Sequence, residues 1–210
     1  PCPSPQHPGP RVSLPLPMGS AWSSFREANG MNGSGEAILP REEAARLAYT
    51  LPVYSRRQLE RLYARFMALP VNVEQKIPAA VIMTLPEFEQ NPQNAELLAA
   101  MGLQRDQQIN FEEFLQALQV FHPKTKVDEK ARFAFKLYAD GKSYITRKDI
   151  VRTLSLLLEG TDVTEEELAK VAEKTMQEAD VEEEDQIHEN EFFNLVANTD
   201  IAGQYTIRFY

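Results

Sequence analysis

Twelve residues close to the C-terminal end hold a dense set of oxygen donors. Asp180-Val-Glu-Glu-Glu-Asp-Gln-Ile-His-Glu-Asn-Glu191 offers carboxylates at Asp180, Glu182, Glu184 and Glu191, and a backbone carbonyl at Gln186. Counted from Asp180, these donors fall at positions 1, 3, 5, 12 and 7 of a ring that suits a hard, oxygen-seeking cation such as calcium. Two features weaken the ring. Position 6 is Asp185, where the sharp turn favours glycine, and glutamate at positions 3 and 5 is longer than the usual aspartate or asparagine. One bound calcium ion and a solvated acidic loop that keeps its shape without metal are both open readings.

The ring belongs to a repeat. Ile187 is followed four residues on by Glu191-Phe192, Ile109 by Glu113-Phe114, and Ile145 by Asp149-Ile150. Ile77 is followed by Val81-Ile82, so the apolar half survives there and the acid is lost. The isoleucines are 32, 36 and 42 residues apart, a spacing that marks copies of one supersecondary element. The other three copies are poorer in ligands. The loop around Ile109 starts at Gly102, with Gln104 and Asp106 at positions 3 and 5 and Glu113 at 12. The loop around Ile145 runs Tyr138-Ala-Asp-Gly-Lys-Ser-Tyr144 and puts Lys142 where a ligand belongs. The first, Pro70 to Val81, has Asn72 and Glu74 but Lys76 at position 7. No calcium is expected in these three.

The elements that position the loops are helices. Leu59, Leu62, Tyr63 and Phe66 follow i, i+3, i+4, i+7, as do Phe111, Phe114, Leu115 and Leu118, and Ala131, Ala134, Phe135 and Tyr138. Ile150, Leu154, Leu157 and Leu158 mark a fourth stripe. Thr164-Glu-Glu-Glu167 is a capping box opening a helix with Leu168, Val171, Ala172 and Thr175. Phe192, Leu195 and Val196 mark the last helix. Helix, loop and helix, four times over, is the EF-hand arrangement. The expected fold is all-α, with two lobes of paired EF-hands and mostly degenerate loops. Residues 1–40 read as a disordered Pro- and Gly-rich segment, 41–122 as the N-terminal pair, and 123–210 as the C-terminal pair with its tail.

Three stretches resemble a known family. Thr84-Leu-Pro-Glu-Phe-Glu-Gln-Asn-Pro92 looks like the linker of calcineurin B and the calcineurin B homologous proteins. Ala131-Arg-Phe-Ala-Phe-Lys-Leu-Tyr138 is similar to the helix leading into their third EF-hand, and Lys174-Thr-Met-Gln-Glu-Ala-Asp180 to that leading into their fourth. Ile207-Arg-Phe-Tyr210 looks like the tail of the homologous-protein branch. The resemblance implies that the isoleucines pair the loops through short antiparallel strands. It also implies a non-catalytic regulatory subunit whose opened helix pairs hold an amphipathic partner helix in an apolar groove. Candidate groove residues are Phe114, Leu118, Phe121, Phe135, Leu154, Leu158, Met176, Phe193 and Val196. Two kinds of partner compete. A phosphatase catalytic subunit is favoured by the Leu85–Pro92 segment. A transporter, receptor or cytoskeletal protein is favoured by the ligand-poor loops and the tail. A single-site calcium sensor is a further alternative.

Composition excludes other classes. A net charge of −9 and a pI of about 5.0 argue against nucleic-acid binding, which leaves a basic footprint. No apolar run is long enough to span a membrane. Cys2 is the single cysteine, so an internal disulfide and a cysteine-rich zinc site are out. His7, His122 and His188 neighbour no plausible nucleophile, and no phosphate-loop, metalloprotease or nucleophile-elbow motif occurs, so no enzyme is expected. Met18-Gly-Ser-Ala-Trp-Ser23 fits the N-myristoylation pattern at Gly19, which requires translation to start at Met18 and makes the upstream stretch an extension. The expected location is cytoplasmic, with weak membrane association through that one acyl chain.

Overall fold

Proline and side-chain caps decide where the helices start. The computed structural model describes residues 37–179, 185–207 and 209. The elements named below lie in the unit Leu39–Tyr210. Helices α1 (Arg41–Thr50) and α2 (Arg56–Met67) come first. Ser55 opens α2 through a reciprocal box: the Gln58 amide donates to Ser55 Oγ and the Ser55 amide to Gln58 Oε1. Strand β1 (Ile77–Pro78) leads into a 3-10 helix (Ala79–Thr84), then α3 (Asn94–Ala100), β2 (Gln108–Ile109) and α4 (Phe111–Gln119). The second half of the unit holds α5 (Val127–Ala139), β3 (Tyr144–Ile145), α6 (Arg147–Leu157), α7 (Glu165–Ala179), β4 (Ile187–His188), α8 (Glu189–Val196) and α9 (Ile201–Gln204). The box expected at Thr164 forms, with the Thr164 amide donating to Glu167 Oε2 at 2.9 Å.

All four isoleucines do what the repeat requires. β1 pairs antiparallel with β2, setting Ile77 against Ile109, and β3 with β4, setting Ile145 against Ile187. The fold is all-α with two short strand pairs. Each isoleucine is almost wholly buried, so the ribbons are held by side-chain burial as well as by their few ladder bonds.

Aromatic rings fill the first half. Phe66 packs against Phe114 at 5.2 Å and Phe111 at 5.5 Å between centroids. A second set of rings joins Phe88 to Phe121 at 5.3 Å and Phe121 to Phe133 of the second half at 5.4 Å. In the second half, Ala134, Phe135, Ile145, Met176, Ile187 and Phe192 form a cluster of their own. Pairs at these tilted and edge-on geometries contribute about 0.5–1.5 kcal/mol each beyond their burial.

One reading of the sequence needs correction. The helix leaving the first loop is 3-10 rather than α: Pro78 stands at its cap and Val81 supplies no acid to take up a free amide. Of the Ile150, Leu154, Leu157, Leu158 stripe, Ile150 packs against the core cluster of the second half. Within α6 only Asp149 and Thr153 are buried, and Leu157 is 50% exposed.

Candidate functional site

The acid four residues beyond Ile109, Ile145 and Ile187 is a helix cap in this structure. Glu113 accepts the Asn110 amide at 2.8 Å and its own amide donates to Asn110 Oδ1 at 3.0 Å. Asp149 accepts the Thr146 amide and hydroxyl at 2.9 and 2.6 Å. Glu191 accepts the His188 amide at 2.8 Å. In each unit the residue after the isoleucine is the N-cap and the acid stands at N3. The position that would hold calcium bidentately therefore has a second use in satisfying the orphan amides of the outgoing helix.

The loop donors fall into two groups. Around Ile145, the Lys142 ammonium reaches the Asp149 carboxylate and the Arg152 guanidinium reaches Asp140, with Arg152 Nη2 a further 3.8 Å from Asp149 Oδ1. Burial pushes the Asp149 carboxyl up, but Lys142 and Thr146 overcome this and hold it below the usual aspartate range. The chain's own cations thus sit among the carboxylates that an ion would otherwise bridge. Around Ile77, Asn72 Oδ1 accepts the amides of Glu74 and Lys76 at 2.9 and 3.0 Å, and Lys76 pairs with Glu74 at 3.0 Å. In the Ile109 loop, the carbonyls of Gln107 and Arg105 accept the amides of Ala79 and Ala80. Among the described residues no group of three or more His, Cys, Asp or Glu side chains is arranged to hold a metal ion.

The last loop is described only at its end. Asp180, Glu182 and Glu184 lie outside the described residues, as does Gly19. Gln186 and Glu191 are described, and the Glu191 side chain is buried. Asp185 takes a left-handed backbone with φ of 57° at the turn position that favours glycine, and Gln75 matches it at 57° in the first loop. Arg147 ties the last loop down, pairing with Asp185 at 3.1 Å and with Glu173 at 2.5 Å.

The groove candidates separate by burial. Phe114, Leu118, Phe121, Phe135 and Met176 are core residues. Phe193 is half-buried beneath the Arg132 guanidinium at 5.9 Å, and Leu158 is half-buried at the end of α6. Leu154 and Val196 do line an apolar cleft of about 340 Å³ between α6, α8 and α9. Its floor comes from Ile145, Ile187 and Phe192, and its wall from Tyr138, Ile201 and Tyr205. Leu157 projects at its edge. Burial, and then Tyr138, push the Tyr205 phenol well above its ordinary value.

Comparison of the sequence with known proteins places this arrangement in a family. A type 2 calcineurin B from Dictyostelium discoideum is 30% identical over 148 residues, covering 70% of this chain and 80% of that protein. The chain belongs to the calcineurin B family. Calcineurin B proteins from Naegleria gruberi and Schizosaccharomyces pombe are 28% and 26% identical over 156 and 155 residues, 88% of each relative. No family model matches the chain.

In this calcineurin B-type chain, several site residues escaped the sequence reading. Tyr138 was visible only as a helix-stripe member, and Ile201 and Tyr205 not at all, because α9 is too short to show a period. The buried Lys130 had a faint signal. With Phe133 and Leu137 it makes a second i, i+3, i+7 stripe on α5, and all three are buried. The Leu85–Pro92 segment is fixed by Glu87, which takes a bidentate contact from Arg65 at 2.5 and 2.7 Å. Burial raises the Glu87 carboxyl, and Arg65 more than offsets that.

Proposed function

We propose that this calcineurin B-type chain is a non-catalytic regulatory or adaptor subunit. It grips an amphipathic helix of a partner protein in the cleft between α6, α8 and α9, with weak or absent calcium binding. The open apolar cleft carries this reading: Leu157, Leu154 and Val196 present a surface that a helix with i, i+3, i+4, i+7 apolar anchors would cover. Family membership favours a phosphatase catalytic subunit as the partner. The internal cations Lys142 and Arg152 favour grip without calcium, and with it the alternative of a transporter, receptor or cytoskeletal partner. On either reading the protein works on the cytoplasmic side, with Gly19 acylation adding weak membrane contact.

Co-purification from cells in the presence of a calcium chelator, followed by mass spectrometry, identifies the partner. Leu157→Asp is the matched variant, since a half-exposed position tolerates the charge. Recovery of the same partner falls at least about tenfold with the variant, equivalent to about 1.4 kcal/mol. Equal recovery would place the contact elsewhere. Calorimetric calcium titration of wild type and Glu191→Gln tests the metal: a response lost in the variant puts one ion in the last loop.

A further inference from the structure

Resting on the cleft reading above, we propose that Thr153 makes a polar notch in the cleft. The partner helix it selects carries one uncharged hydrogen-bonding side chain, a carboxamide or a hydroxyl, inside its apolar stripe. Ile150, Thr153, Leu154 and Leu157 stand at i, i+3, i+4 and i+7 on α6, and all four line the cleft. Three of these places are apolar, and threonine holds the i+3 place. Thr153 is 3% exposed. Among the described residues its hydroxyl makes no hydrogen bond. The other two threonines of the cleft differ. Thr175 Oγ1 donates to the Val171 carbonyl at 2.9 Å, and Thr199 Oγ1 to the Val196 carbonyl at 2.8 Å. Turning the hydroxyl back to a carbonyl one turn earlier is how a helical threonine is ordinarily satisfied. Thr153 leaves both its donor and its acceptor unused.

An open cleft leaves that hydroxyl to water. A partner helix that covers it expels the water. The hydroxyl then costs free energy if it meets only carbon, and much less if it meets a matching group. A site built around a polar group rejects ligands that lack the complement more sharply than apolar walls discriminate by size. The charge of the complement follows from the lining. Among the described residues no Asp, Glu, Lys, Arg or His lines the cleft, so a charged partner side chain would be desolvated there without a counter-ion. Gln204 of α9 also lines the cleft, and among the described residues its carboxamide makes no hydrogen bond. It is a second group that both donates and accepts. Leu154, Leu157 and Val196 supply the grip, and Thr153 sets which helix is gripped.

The test uses the full chain and fluorescein-labelled leucine–lysine helical peptides of about 18 residues with an apolar stripe at helical spacing. One parent peptide has leucine throughout the stripe. In the others a single asparagine is walked through the stripe, one position at a time. With wild type, asparagine at one position keeps the parent's affinity, while at the other positions it weakens binding about tenfold or more. Thr153→Val removes the exception: the ratio of parent to favoured-asparagine affinity shifts by about tenfold. Thr153→Ser, which keeps the hydroxyl, retains the wild-type preference. A ratio that is the same with threonine and valine at every position overturns the notch and leaves the cleft reading intact. Absence of binding by every peptide, or binding untouched by Leu157→Asp, overturns the cleft reading and the notch with it. The free chain supplies a second readout. Thr153→Val leaves its thermal midpoint unchanged or raised, because no internal hydrogen bond is lost. A lowered midpoint would show the hydroxyl satisfied within the chain and would overturn the inference.

Discussion

Glu113 serves two chemistries from one position, and only one of them needs a metal. As the twelfth residue of its loop it would close a calcium ring. As the N3 residue of α4 it accepts the Asn110 amide at 2.8 Å. Capping contributes to stability without a metal. Glu113→Ala lowers unfolding free energy by about 1 kcal/mol, the usual worth of a cap, and by the same amount in calcium and in chelator. Urea denaturation under both conditions measures it, and a loss seen only in calcium would return the residue to the metal. His122 is a second residue-level case. It sits buried at 5.2 Å from the Tyr54 ring, its Nδ1 accepting the Lys124 amide at 3.1 Å. Burial, then the charges of Lys124 and Lys130, push its pKa below the ordinary imidazole value. The unfolded chain therefore binds the proton more readily than the folded one. Stability is full above about pH 6.5, the unfolded value, and declines as pH falls from there through the lower folded pKa. His122→Gln flattens that part of a stability–pH profile. A profile unchanged by the substitution would mean that the imidazole is not the titrating group.

At the scale of the element, the repeat was written in the sequence because it is a pattern of types at fixed spacing. Isoleucine at the loop centre forces strand pairing, and the register Ile77 to Ile109 and Ile145 to Ile187 follows. The helical stripes on α2, α4 and α5 were equally legible, since burial selects apolar residues on one face. What stayed hidden depends on geometry rather than type. The 3-10 turn after β1 arises from the missing cap acid at Val81, a local consequence that a periodicity count passes over. The stripe on α6 looks like a core stripe in sequence, yet in the structure it lines an open cleft, because an apolar residue reads the same whether chain or partner covers it. Of the groove candidates, Leu154 and Val196 line the cleft, whereas Phe114 and Met176 are buried in the core. The loop turns supply a further test. Gln75 holds a left-handed backbone at φ 57°, which costs a side-chain-bearing residue about 1–2 kcal/mol, against the extra entropy of glycine of about 0.5–1 kcal/mol. Gln75→Gly therefore stabilises the protein by a few tenths to about 1 kcal/mol, read as a rise in thermal midpoint. A lowered midpoint would show that the Gln75 side chain contributes more than its strain removes.

Taken as a whole molecule, the chain joins its halves through aromatic contacts such as Phe121 with Phe133, and an apolar cleft lies open between α6, α8 and α9. Among the described residues no helix is long and apolar enough to cross a membrane. Among the donors of the third loop stand Lys142 and Arg152, paired with Asp149 and Asp140. On the proposed reading, packing and internal charge set the helix pairs around the cleft, and the grip works at any calcium concentration. The most direct measurement is calorimetric titration of the full chain with the calcineurin B-binding helix of a phosphatase catalytic subunit, in saturating calcium and in excess chelator. The account predicts the same dissociation constant, within about twofold, under both conditions. Binding that appears only when calcium is present would contradict it.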